Sequence, residues 1–145
     1  YMSSRKLSDL SPYMQDRAKL FDAKCIEAGI DYLRYCTWRS MEEQAYLYLI
    51  GRGLPGKIVT NAKAGESKHN YEYVPGVPSS EAWDGVPLIN GKPLWSLYIM
   101  DTTNRRTIHP IWEKVIEIGH ELGLKSGMDF KGKFKEGCHW ENPNA

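Results

Sequence analysis

The sequence predicts an α+β fold, a small antiparallel β-sheet with helices packed on one side. Three observations predict it. Stretches with apolar residues at helical spacing alternate with short aromatic, strand-favouring runs. Asn90-Gly91 joins two such runs as a tight hairpin turn. Gly127, Gly132 and Gly137 cut the last part of the chain into pieces of short-strand length.

The first helix opens at Ser11-Pro12, with Ser11 as N-cap and Pro12 at the first helical position. Met14, Ala18, Phe21, Cys25 and Ala28 recur at helical spacing and give its buried face. Gly29 stops it at a position that asks for positive φ. Tyr32 to Thr37 reads as a strand. Ser40-Met41-Glu42-Glu43 is a capping box, so a helix starts near Met41, carries Gln44, Leu47 and Tyr48, and ends near Gly51. Residues 51–66 hold glycines, Pro55 and lysines and read as a long loop. Glu81 to Ile89 is a strand, and Lys92 to Leu97 returns from the hairpin. Arg105 to Pro110 opens the last helix, with Ile111, Val115, Ile118 and Leu122 as its buried face and Gly123 as its stop. Leu124 to Met128, Phe130 to Phe134 and Cys138 to Glu141 are the closing strands. Residues 1–10 form an N-terminal extension, 11–141 a single domain, and 142–145 a tail.

At 145 residues, 41% hydrophobic, the chain can bury one core. Nineteen basic and 18 acidic residues leave a net charge of +1, which argues for no nucleic-acid partner. The apolar runs are too short for membrane insertion. Three cysteines form neither a CxxC knuckle nor a disulfide framework, so a reducing compartment is expected. Cys25 and Cys36 read as core. Cys138 could be a fourth metal ligand, although a strand neighbour of His139 points to the other face. No signal peptide is read at the polar start, so synthesis in the cytoplasm is expected.

His69, Asp84 and His139 together supply two imidazoles and a carboxylate, a three-ligand set for one catalytic Zn2+ with a fourth position open. Glu136 lies three residues before His139 and can be a general base, an ordinary loop charge or a ligand. Arg39 can be a structural ion-pair partner or a stabiliser of developing negative charge. His109, His120 and the tryptophans 83, 95, 112 and 140 read as structural, and Asp129 as a turn residue or an orienter of a ligating histidine.

Ser67-Lys68-His69, Ala82-Trp83-Asp84 and Glu136-Gly137-Cys138-His139, with Thr37-Trp38-Arg39-Ser40, Glu43-Gln44 and Asn90-Gly91-Lys92, resemble the VanY/VanX-type zinc D-Ala-D-Ala peptidases, the LAS-type metallopeptidases. They are equally similar to the phage L-alanyl-D-glutamate endolysins of the same fold. The resemblance covers about Ser11 to Glu141 and implies a hedgehog/D-Ala-D-Ala-peptidase-like fold. It implies Glu136 as the catalytic base, Arg39 facing the metal, and His69, Asp84 and His139 as zinc ligands. Ser67 can contact the substrate or merely shape its loop, Gln44 likewise, and Tyr71 and Tyr73 can line a substrate groove or pack to shield solvent.

One departure stands out. Fourteen residues separate His69 from Asp84, more than the family's usual run. Residues 70–80 therefore read as a Tyr- and Pro-rich insertion at the mouth of the site. The function expected is hydrolysis of the L-alanyl-D-glutamate bond of peptidoglycan stem peptides by a monomeric, phage-type endolysin in the host cytoplasm, released to the wall by a holin-type route. The alternatives are a D-Ala-D-Ala carboxypeptidase or dipeptidase, a non-catalytic zinc module that binds wall fragments, and a structural virion part.

Overall fold

The structure, a computed structural model, describes residues 3–131 and 136–145. Helices α1 (Pro12–Glu27), α2 (Met41–Leu49) and α3 (Pro110–Glu121) accompany strands β1 (Asp31–Cys36), β2 (Ala82–Ile89), β3 (Lys92–Pro93), β4 (Tyr98–Met100), β5 (Arg106–Ile108), β6 (Lys125–Gly127) and β7 (Glu136–Glu141). The main sheet is antiparallel in the order β1-β2-β7-β6, with β3 paired to β2. Strands β4 and β5 form a separate hairpin.

Local chemistry sets the expected boundaries. Ser11 accepts the Met14 amide and Ser40 the Glu43 amide, so both N-caps are occupied. Asn90 and Gly91 have φ of 52° and 76°, the double positive φ of a type I′ hairpin turn.

Two expected elements differ. Residues 106–108 do not open the last helix; they pair with Tyr98–Met100, and the helix begins at Pro110 with His109 as its cap. The expected return strand from Lys92 to Leu97 is confined to Lys92–Pro93. Beyond it, Leu94 and Leu97 pack against the core while Trp95 is exposed, which corrects its reading as a core residue. Most of the strand expected at Phe130 to Phe134 lies outside the described residues, and Phe130 itself is not in a strand.

The core lies between the sheet and the α1/α3 pair. Met14, Ala18, Phe21 and Cys25 of α1 meet Trp112, Val115 and Ile118 of α3 and Trp83 and Trp140 of the sheet, all buried. Ala28, expected on this face, is exposed as the helix C-cap. The Phe21 ring stands 5.4 Å from Trp83 and 5.8 Å from Trp140, both edge-on. Gly119 lets α3 come close: a Cβ there would lie 2.1 Å from the Trp140 ring. Trp83 faces Trp140 across the strands, and the next pair is Asp84 with His139. Successive residues point to opposite faces, so the core pair and the polar pair are on opposite sides of the same two strands.

Candidate functional site

On the polar side is a cavity of about 890 Å³. His69, Asp84, His139, Glu136, Arg39 and Ser67 are among the residues that line it. Sheet register delivers Asp84 and His139 as a cross-strand pair. His69 arrives from a short 3-10 turn, Lys68–Asn70, capped by the Ser67 hydroxyl, which accepts the His69 amide at 3.2 Å. Buried Asn70 clasps the turn: its side chain donates to the Arg39 carbonyl at 2.9 Å and accepts the Gly65 amide at 3.2 Å. The three groups thus come from distant chain segments onto one rigid frame.

Their orientation is specific. His69 Nε2 and His139 Nδ1 each lie 3.2 Å from Asp84 Oδ1. The outer nitrogens are held elsewhere, His69 Nδ1 by the Thr37 carbonyl at 2.8 Å and His139 Nε2 by Glu141 at 2.9 Å. Those acceptors each take a hydrogen bond from an outer N–H, so the inner nitrogens face Asp84: they donate to it while the rings are protonated and free their lone pairs when the rings are neutral. Lys68 ion-pairs with the second Glu141 oxygen at 2.9 Å and fixes that carboxylate.

Burial alone would pull both imidazoles down, but the Asp84 carboxylate outweighs it. His69 is pushed up to about 10, and His139 is raised with help from Glu141. Burial likewise raises Asp84, yet the two histidines hold it well below the usual carboxylate range. A divalent cation would satisfy the same three atoms, and two imidazoles with one carboxylate suit it chemically.

Cys36, read from sequence as core, also belongs here. Its thiol and ligand atoms of His69 and Asp84 lie within 4.8 Å of one another, a possible metal-binding triad. It overlaps the His69–Asp84–His139 set, and the geometry separates the two. Cys36 Sγ lies 3.9 Å from His69 Nδ1, the nitrogen engaged by Thr37, and faces an Arg39 donor at 3.6 Å. His139 instead turns its inner nitrogen onto the shared Asp84 oxygen. A break in the β1–β2 register between Arg34 and Cys36 brings Cys36 opposite Asp84, and strand periodicity gives no warning of such a break.

A second irregularity places Glu136. In regular β geometry it and His139, three apart, would face opposite sides. The β6–β7 register jumps between Ser126, paired with Trp140, and Gly127, paired with Glu136, and both residues reach the cavity. Burial raises the Glu136 carboxyl.

Arg39 donates to Asp84 Oδ2 at 3.2 Å and to the Gln44 side-chain oxygen at 3.0 Å. Gln44 is fully buried and donates to the Ala62 carbonyl at 2.8 Å. It is absent from the cavity wall and braces Arg39 against the 51–66 loop.

Tyr71 and Tyr73 do not line the cavity. Tyr73 donates to Glu81 at 2.6 Å, the Ser80 amide bonds the Asp9 carbonyl at 2.8 Å, and the Ser11 amide bonds the Ser80 carbonyl at 2.9 Å. The insertion ties the N-terminal segment and the start of α1 to the sheet. Asp129 takes its turn role: it accepts the Ser126 amide and pairs with His120, each at 2.8 Å, and touches neither His69 nor His139. Burial, reinforced by the Asp84 charge, pushes the Cys138 thiol up to about 12, which keeps it protonated.

No family model matches the chain. The chain is 34% identical over 134 residues to the peptidoglycan L-alanyl-D-glutamate endopeptidase CwlK of Bacillus subtilis (strain 168), covering 92% of this chain and 74% of that protein. Its fold is similar to the crystal structure of the Serratia marcescens L-Ala D-Glu endopeptidase ChiX. The TM-score is 0.56 at 15% identity, over 97% of this chain and 87% of the other.

Proposed function

The chain belongs to the LAS-type peptidase family that contains the peptidoglycan L-alanyl-D-glutamate endopeptidases, and we propose that it hydrolyses the L-alanyl-D-glutamate bond of stem peptides with one zinc ion. The observation that carries this reading is the convergence of His69 Nε2 and His139 Nδ1 on one Asp84 oxygen, each with its outer nitrogen anchored. Zinc, when bound there, supplies a Lewis acid that polarises the scissile carbonyl and acidifies water.

The chain's own residues do the rest. Glu136 accepts a proton from the attacking water and delivers it to the amine of the departing D-glutamate; burial raises its carboxyl, which makes it the better proton acceptor. Arg39 occupies Asp84 Oδ2, leaving Oδ1 to the two histidines. That contact supports a positioning task more directly than the expected contact with a developing oxyanion. Ser67, on the cavity wall, shapes the turn that presents His69.

Digestion of purified peptidoglycan tests the reading. New amino-terminal D-glutamate should accumulate, vanish with a chelator and return with zinc. Glu136→Ala should keep zinc and lose about 10²–10⁴-fold in turnover. Release of D-alanine without new D-glutamate amines, or zinc-loaded protein that makes no product, would sink it.

A further inference from the structure

We propose that Trp95 is a saccharide-stacking subsite that engages the amino sugar carrying the stem peptide, an inference that rests on the peptidase reading above. Trp95 is 63% exposed, unlike Trp83, Trp112 and Trp140, which are buried. Its backbone is firmly held on both sides. The Leu94 amide donates to the Pro87 carbonyl and the Trp112 indole donates to the Leu94 carbonyl, both at 2.9 Å. The His109 amide donates to the Leu97 carbonyl at 2.8 Å. Leu94 and Leu97 point into the core, so the indole between them is presented outward on an anchored stretch.

The ring is continuous with the cavity in two ways. It packs edge-on against Tyr35, 5.5 Å between centroids, and Tyr35 lines the cavity. The neighbouring Leu97 side chain abuts Gly137, where a Cβ would lie 3.2 Å away, next to Glu136. A substrate chain that left the cavity past Tyr35 would run onto the indole. In peptidoglycan the L-alanine is amide-linked to the lactyl group of muramic acid, so a sugar ring lies one residue from the scissile bond. Pyranose rings present flat C–H faces, and a fixed, exposed indole is a complementary surface with little entropy to lose.

The test uses two soluble substrates with the same scissile bond, a muramyl-linked stem peptide and the peptide without sugar. Trp95→Ala should lower the ratio of kcat/KM for the sugar-bearing to the sugar-free substrate about tenfold, mainly through KM, and Trp95→Tyr should restore most of it. A ratio within about twofold of wild type overturns the subsite alone. Wild-type protein that cleaves neither substrate overturns the peptidase reading and the subsite with it. A concentration-dependent dimer by light scattering, abolished by Trp95→Ala, overturns the subsite by assigning the ring to a second copy of the chain.

Discussion

Trp83 and Asp84 are adjacent in β2, and Trp140 and His139 adjacent in β7, yet each pair divides between two environments. On the helix side, Trp83 and Trp140 enclose Phe21 in a dry aromatic core. On the other side, Asp84 and His139 meet His69 in a buried polar cluster that opens on the cavity. Apolar packing tolerates many sequences of similar volume. A convergent polar cluster works only if every donor and acceptor is answered, which is why its outer ring of Thr37, Glu141 and Lys68 is so fully engaged.

The strongest way to break this contrast is His139→Ala. It should abolish zinc retention and activity, a loss on the order of 10²-fold or more, measured by metal analysis beside the digestion assay. Trp83→Ala tests the opposite face. It should cost about 3–5 kcal/mol in denaturant titrations, while the fraction that stays folded still binds zinc. A Trp83 variant that folds stably but loses the metal would show that the two faces are not separable.

Glu141→Gln keeps the shape and removes the charge behind His139, so zinc affinity should fall about 10–100-fold in chelator competition, with the fold intact.

Metal-free protein should show the pH signature of the histidines. His69 is raised to about 10 in the fold, above its ordinary value near 6.5. Its stabilising contribution is therefore complete below about pH 6.5 and lost as pH rises toward 10. Chelator-treated protein should melt at progressively lower temperature across that window. Zinc-loaded protein should not follow, because the metal needs the unprotonated rings, and zinc binding at neutral pH should release protons in calorimetry. The smallest effect belongs to Cys36→Ser: if His139 completes the ligand set, zinc content is retained, and loss of zinc would move the centre toward Cys36.

Much of this molecule could be read from local chemistry. Ser11-Pro12, the capping box at Ser40 and Asn90-Gly91 act within a few residues, so their helices and hairpin follow from sequence alone. His69, Asp84, Glu136 and His139 were legible because two imidazoles and carboxylates suit a metal centre and because their motifs resemble those of the LAS-type peptidases. The roles of Cys36, Glu136 and the insertion depended on long-range facts. Two register breaks, at Arg34/Cys36 and Ser126/Gly127, set Cys36 opposite Asp84 and bring Glu136 to the cavity against simple alternation. The insertion joins the N-terminal segment because the Asp9 and Ser80 backbones pair across the fold. Residue type and short spacing determined the elements and the donor atoms. Which atoms face one another was decided by sheet register and by backbone acceptors such as the Thr37 carbonyl, which carry no side-chain signature in the sequence.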